Sequence, residues 1–166
     1  MAEAVANVAR RVNATVEEGS DTLDLSNCKL ISFPDGVFKV LRSVSDNIRV
    51  ITLADNEMKS ISSKLFSTFT QLRELDLRGN VLTKLPASVG EMEHLTCINL
   101  ANNSFSVFPD KLTEIATLER INLQGNGITG DNDTPPLRGC ILLNALSDRQ
   151  IRSIKWFAQA FQEFFK

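Results

Sequence analysis

The chain has 166 residues, of which 43% are hydrophobic and 23% charged, and its formal net charge is -2. This length suits one domain with its own core, and the balanced composition excludes a disordered chain and a strongly basic nucleic-acid surface. The sequence also contains no run of about 18 apolar residues, the length that a membrane-spanning helix needs.

The chain begins with a predicted amphipathic helix over residues 3–18, which Gly19 can end. Four valines share one side of this helix: Val5, Val8, Val12 and Val16. We interpret it as a cap that packs on the first repeat of the segment that follows. An alternative is a helix that binds a membrane or a partner. Its apolar side, however, lacks the Trp, Phe and Leu side chains that enter lipid, and the segment lacks the apolar stretch of a signal peptide.

A motif of the form LxxLxLxxNxL repeats along residues 20–128. Four copies are complete, and they begin at Ile48, Leu72, Leu95 and Leu118. In the partial first copy, Cys28 occupies the Asn position. The Asn residues stand at 56, 80, 103 and 126, so successive copies are 24, 23 and 23 residues apart. Such a period indicates a solenoid, here of about five repeats.

Each copy contains the elements of one structural unit. The LxL alternation predicts a short strand with both Leu side chains on one face, which only a neighbouring unit can bury. The Asn side chain carries two N–H donors and an acceptor, so it can bond backbone groups where the chain turns inward. We therefore predict a structural ladder along the solenoid, formed by Cys28, Asn56, Asn80, Asn103 and Asn126.

After the ladder position, each repeat is predicted to return along the convex side. Three repeats place an apolar residue before a proline, at Phe33-Pro34, Leu85-Pro86 and Phe108-Pro109. Apolar residues three or four apart then indicate one helical turn per repeat: Leu65 and Phe69, Val89 and Met92, Leu112 and Ile115. The first repeat is longer, and a longer helix is predicted from Val37, Val40, Leu41 and Val44.

This pattern resembles the leucine-rich repeat family, in its intracellular form of about 23 residues, and the resemblance extends from Glu3 to Asn126. The resemblance implies an α/β fold: a right-handed solenoid of about five repeats, with a short parallel sheet on the concave face and helical caps at both ends. Members of this family, as the resemblance implies, mostly act as interaction scaffolds. The resemblance assigns no chemistry to this chain.

The C-terminal part departs from the repeat. Residues 129–146 read as a loop, and Ser147 to Gln150 match a capping box that begins an apolar helix over residues 147–165. In one interpretation this helix covers the last repeat, and residues 1–166 form a single domain. In the other, the helix is partly exposed and docks a partner through Trp156, which predicts concentration-dependent dimerisation.

Few residues offer catalytic or metal chemistry. His94 is the only histidine and is predicted to lie on the surface, and no glycine-rich phosphate loop is present. The cysteines Cys28, Cys97 and Cys140 are odd in number and far apart, which favours a reducing, cytoplasmic environment. Cys97 has no basic neighbour in its own strand that would lower its pKa. We therefore expect no enzyme activity, no metal, no cofactor and no small-molecule substrate.

The concave face is the remaining candidate for a functional site. Its outward-facing residues are predicted to be Thr22, Asp24 and Ser26; Val50, Thr52 and Ala54; Glu74, Asp76 and Arg78; Cys97, Asn99 and Ala101; and Arg120, Asn122 and Gln124. Glu74 and Asp76 lie about 7 Å apart, which suits paired-carboxylate catalysis, but an open sheet leaves both carboxylates in water. A solvated polar face is the favoured interpretation.

We predict that this face binds a protein. The predicted contact residues are Glu74, Asp76, Arg78, Asn99, Arg120 and Asn122, with Trp156 on the terminal helix. Five strands give a projected face of about 400 Å², whereas a standard interface takes about 800 Å² from each partner. The partner must therefore also contact the adjoining loops or the terminal helix.

The sequence thus predicts a noncatalytic, cytoplasmic protein–protein interaction module, a scaffold or adaptor that binds another protein and neither nucleic acid nor membrane. The alternative is a small regulatory subunit of an enzyme such as a phosphatase or a GTPase. The two differ in what co-purifies: a scaffold brings several proteins, and a regulatory subunit brings one enzyme in a fixed ratio.

Overall fold

A computed structural model describes residues 2–128 as a helix followed by five stacked repeats. Helix α1 spans Ala2–Glu17, and the strands are β1 (Thr22–Asp24), β2 (Val50–Thr52), β3 (Glu74–Asp76), β4 (Cys97–Asn99) and β5 (Arg120–Asn122). They form one open parallel sheet in the order β1-β2-β3-β4-β5. The predicted α/β solenoid is confirmed. The loop predicted over 129–146 and the helix predicted over 147–165 lie outside the described residues.

The LxL residues form the centre of the core. The middle residues of the strands align in register from Leu23 through Ile51, Leu75 and Ile98 to Ile121. Backbone hydrogen bonding continues beyond the strands, for example from Asn27 N–H to the Ala54 carbonyl at 2.9 Å. The bonded band in each repeat is therefore longer than its three-residue strand, which gives the concave face about five residues of width.

The asparagine side chains form a continuous hydrogen-bonded row beside the sheet. Asn80 Nδ2 donates to the carbonyl of Leu53 at 3.0 Å and of Leu77 at 2.9 Å, while its Oδ1 accepts the Met58 N–H at 3.0 Å. The Leu77 carbonyl also accepts from Asn103 Nδ2 at 2.9 Å. Each shared carbonyl thus joins two ladder residues. Asn56, Asn80 and Asn103 are buried, as amides with satisfied donors and acceptors can be.

The residue before each ladder position adopts a left-handed backbone. These residues are Asn27, Asp55, Gly79, Asn102 and Gly125, with φ between 52° and 72°. Asn, Asp and Gly are the residues that adopt this conformation most easily. A Cβ added at Gly79 would overlap Asp55 Oδ1, so any larger residue at position 79 would require the Asp55 side chain to move.

The short helices on the convex side change from α-helices in the first two repeats to 3-10 turns in the next two. Helix α2 spans Asp35–Leu41 and is followed by a 3-10 turn at Ser45–Asn47, and α3 spans Ser63–Thr68. The third and fourth repeats have only 3-10 turns, at Ala87–Glu91 and Asp110–Glu114. The longer helix predicted for the first repeat is present, although Val40, which fits the apolar spacing, does not pack in the core. Val40 is 46% exposed, and Phe38 takes the buried position beside Leu41.

Helix α1 covers the first repeat with Val8, Val12 and Thr15, all of which are buried. The prediction that Val5 shares this buried side is wrong, because Val5 is 70% exposed in the first turns of the helix. Cys28 faces α1 instead of a preceding repeat, and its thiol accepts a hydrogen bond from Asn7 Nδ2 at 3.6 Å. No ladder carbonyl precedes this position, which explains why an amide is not required there. None of the helices described could span a membrane.

Candidate functional site

Two rows of side chains cover the concave face. The first row follows the strand starts and contains Thr22, Val50, Glu74, Cys97 and Arg120. The second row follows the strand ends and contains Asp24, Thr52, Asp76, Asn99 and Asn122. Two residues predicted on this face, Ala54 and Ala101, are instead buried at 0% and 6% exposure.

Side chains of the second row also accept hydrogen bonds from backbone N–H groups. Asp76 Oδ1 accepts the Arg78 N–H at 3.1 Å, Asn99 Oδ1 accepts the Ala101 N–H at 3.1 Å, and Asn122 Oδ1 repeats this at Gln124 with 3.0 Å. Each such bond fixes the turn that carries the chain from its strand towards the ladder. These side chains are therefore held in place, and only part of their bonding capacity remains for a ligand.

The charged residues of the face form ion pairs with one another. Arg120 Nη2 lies 3.7 Å from Glu74 Oε1, and Arg78 Nη1 lies 3.4 Å from Asp76 Oδ2. In the strand register, Cys97 stands between Glu74 and Arg120. The first pair therefore reaches across β4 in front of Cys97. Such exposed pairs contribute little to stability, because water already solvates both charges.

The Cys97 thiol is not a nucleophile activated by its surroundings. Burial raises its pKa above the ordinary thiol value, Arg120 lowers it, and the charges of Glu74 and Asp76 raise it further. The net direction is upward, so the thiol is the dominant form near neutral pH. Cys97 and Cys28 are both free.

The first repeat adds a charged edge to the face. Arg11 of α1 donates through Nη1 to the Ser26 carbonyl at 3.0 Å and lies 3.3 Å from Asp24 Oδ1. Burial raises the pKa of Asp24. Hydrogen bonds from the Ser26 hydroxyl and N–H, together with Arg11, outweigh that effect, and the net pKa lies below the ordinary carboxyl value. No pattern in the sequence indicates that Arg11 reaches the sheet.

The other residues considered for chemistry or binding are His94 and Trp156. His94 is exposed on the convex side, and Trp156 lies outside the described residues. Within the part of the chain that the structure describes, no group of three or more His, Cys, Asp or Glu side chains is arranged to hold a metal ion. The six predicted contact residues on strands β3 to β5 and just after them do share one face, and their charges are balanced.

Sequence reasoning missed the turn-forming role of the second row. The signal was present, because Asp or Asn stands between the two apolar residues of the strand at positions 24, 76, 99 and 122. These residue types are unfavourable in strands, and their recurrence at one register position indicates a local bond to the backbone.

The family model for the leucine rich repeat matches residues 21–82 and 70–128. These ranges contain all five strands and the complete ladder. The chain belongs to the leucine-rich repeat family. This membership supports a protein-interaction module in general, which is the role that the open concave face allows.

Two similar proteins are called leucine-rich repeat-containing protein 20. That of Homo sapiens is 63% identical over 95 residues, which are 57% of this chain and 52% of that protein. That of Mus musculus is 63% identical over 94 residues, 57% of this chain and 51% of that protein. The leucine-rich repeat chain therefore spans about half the length of these relatives.

A more distant relative is the adenylate cyclase of Schizosaccharomyces pombe. It is 26% identical over 103 residues, 62% of this chain but only 6% of the cyclase. The likeness is confined to a small segment of that enzyme. It shows leucine-rich repeats shared with a much larger protein and gives no reason to assign cyclase chemistry to this chain.

Proposed function

We propose that the protein is a noncatalytic, cytoplasmic interaction module that binds another protein through its concave face and the loops beside the ladder. The observation that carries this proposal is the open five-stranded sheet, whose outward rows are fixed in register and backed by a hydrophobic core. A surface held in this way loses little conformational entropy on binding, because its backbone is already ordered.

The loops after the ladder supply apolar area that the polar face lacks. Ile31 is 61% exposed, Val81 is 45% exposed and Val107 is 72% exposed, and all three follow ladder positions. The concave face alone presents about half of a standard interface. A partner that covers both the face and this edge can bury the polar rows and the apolar side chains together.

The arrangement of the carboxylates argues against catalysis. Glu74 and Asp76 each lie near an arginine on an open face, so neither is isolated from water or from a neutralising charge. A general acid needs a raised pKa, which enclosure in an apolar pocket supplies. The free thiols of Cys28 and Cys97 suit a reducing compartment.

The test is partner capture by a variant that alters the face but keeps its turn. Asp76→Asn retains the Oδ1 acceptor for the Arg78 N–H, and Arg78→Glu then reverses the positive charge. The matched control is the double exchange Lys111→Glu and Glu114→Lys, which inverts an ion pair of 2.7 Å on the convex side.

Affinity purification followed by mass spectrometry gives the readout. The concave variant is expected to lose the proteins that wild type captures, while the convex control retains them and both keep the wild-type melting temperature. Equal capture by the concave variant and wild type would reject this face as the binding site.

A further inference from the structure

Within the described part of the chain, two amide donors on the β4–β5 half of the concave face have no hydrogen-bond acceptor. Asn99 and Asn122 are register neighbours, and each uses Oδ1 to accept a backbone N–H. This bond determines which end of each side chain carries the NH₂ group. Among residues 3–128, neither Nδ2 atom has a hydrogen-bond acceptor, and neither is buried. The two NH₂ groups thus face solvent from adjacent strands.

A guanidinium lies beside these donors. Arg120 precedes Asn122 by two residues on the same face of β5, and its side chain is 50% exposed. Its contact with Glu74 is 3.7 Å, longer than the roughly 2.8 Å of a charge-assisted hydrogen bond. A loose, exposed pair of this kind is readily exchanged for a better-placed carboxylate.

The carboxylates on the same face are already engaged. Asp76 is bonded to Arg78, Asp24 lies against Arg11, and Glu74 faces Arg120. Among the described residues of the β4–β5 half, the two amide NH₂ groups are therefore open to an acceptor on a ligand. A negatively charged acceptor satisfies the guanidinium as well.

We propose that Asn99, Arg120 and Asn122 form a donor patch that binds a glutamate or aspartate side chain of the partner protein. Adjacent strands lie about 4.8 Å apart, so one carboxylate can accept from both amides, one oxygen to each. The guanidinium fork approaches the same group from the first row. In the free protein Glu74 acts as an internal substitute, which the partner's carboxylate displaces from Arg120.

This proposal rests on the proposed function, since the donor patch is part of the concave face. The proposal predicts opposite effects on binding for substitutions of the two members of one ion pair. Glu74→Gln removes the competing carboxylate and is expected to tighten binding. Arg120→Gln removes the guanidinium and is expected to weaken binding. If the pair had only a structural role, both substitutions would act in the same direction or not at all.

The experiment is an NMR titration of the full chain with two blocked pentapeptides, identical except that one carries a single central glutamate and the other glutamine. The readouts are the side-chain NH₂ resonances of Asn99 and Asn122 and the dissociation constant. Glu57→Gln is the matched control, because Glu57 is exposed and lies at the ladder edge, away from the patch.

The glutamate peptide is expected to shift both NH₂ resonances, and the glutamine peptide is not. Relative to wild type, Glu74→Gln should bind the glutamate peptide about fivefold more tightly and Arg120→Gln about tenfold more weakly. Glu57→Gln should leave the affinity unchanged. Equal binding of the two peptides, no shift at either NH₂ group, or weaker binding by Glu74→Gln would overturn the proposal.

Failure of the donor patch remains distinguishable from failure of the proposed function. Partner capture by the variant altered at Asp76 and Arg78 is measured independently of the peptides. If that variant loses capture while the glutamate peptide does not bind, the concave face binds its partner by other chemistry and the donor patch is refuted.

Discussion

The substitution Asn80→Ala tests the ladder at its centre. It removes the only acceptor that the Met58 N–H has among the described residues, and an unsatisfied buried donor costs about 1–3 kcal/mol. The carbonyls of Leu53 and Leu77 each lose one bond, worth about 1 kcal/mol. Each still receives one bond, from Asn56 at 2.8 Å and from Asn103 at 2.9 Å.

We therefore expect Asn80→Ala to lower the free energy of unfolding by about 3–5 kcal/mol, a large fraction of the 5–15 kcal/mol typical of a domain. Equilibrium urea unfolding followed by far-UV circular dichroism measures this change. The control is Asn13→Ala at an exposed position of α1, where alanine favours the helix and the change should stay within about 0.5 kcal/mol.

An isosteric variant separates the bonds from the space that the side chain fills. Asn80→Asp keeps an acceptor for Met58 but places a carboxylate against two carbonyls, which raises the pKa of that carboxyl in the folded state. Stability should then recover as the pH falls, because protonation restores one donor. A loss below about 1 kcal/mol for Asn80→Ala, or no pH dependence for Asn80→Asp, would refute the reasoning.

Three further predictions concern the backbone, the concave thiol and the cap. Gly79→Ala should cost about 2 kcal/mol, because position 79 is left-handed and the new Cβ overlaps a neighbouring side chain. Gly36→Ala, in a helix with open space around it, should stabilise the protein by about 0.5–1 kcal/mol; urea unfolding measures both. Glu74→Gln should lower the pKa of Cys97, because the charge of Glu74 raises it, so alkylation of Cys97 read by mass spectrometry should shift to lower pH. Val12→Ala should cost about 2 kcal/mol in urea unfolding, because Val12 is 2% exposed beneath the cap.

Each of these predictions has a contrary outcome. Equal effects at the two glycines would show that the left-handed backbone and the crowding at Gly79 carry no cost. An alkylation profile that moves to higher pH would contradict the electrostatic influence of Glu74 on the thiol. Val5→Ala is the control for the cap, since Val5 is 70% exposed, and a loss as large as that of Val12→Ala would contradict the packing of α1.

Much of the fold follows from the sequence, because the apolar positions of the repeat are the residues that form the core. The spacing of Leu75, Leu77 and Asn80 describes one strand and its ladder bond, and each neighbouring copy must stack to bury the same face. Periodicity was less reliable at the ends of helices. Val5 and Val40 fit the apolar spacing yet are exposed, because only packing decides where a helix leaves the core.

From the sequence, the candidate site could be predicted only as the outward-facing side of the sheet. Alternation along a strand places Glu74, Asn99 and Arg120 outward, but it carries no information on which atoms remain unbonded. The turn bonds of Asn99 and Asn122 are local, since each Oδ1 accepts the N–H two residues further along the chain. The reach of Arg120 across β4 depends instead on the relative position of separate repeats, which their stacking sets and no local pattern records.

The most direct test of the central claim is photocrosslinking from single positions on opposite sides of the solenoid. A photoreactive residue at Thr52 places the probe at the centre of the concave face, and one at Ser67 places it on the exposed surface of α3. We predict that the Thr52 probe crosslinks a reproducible protein partner in cells and that the Ser67 probe does not. The same partner crosslinked from Ser67 but not from Thr52 would contradict binding through the concave face.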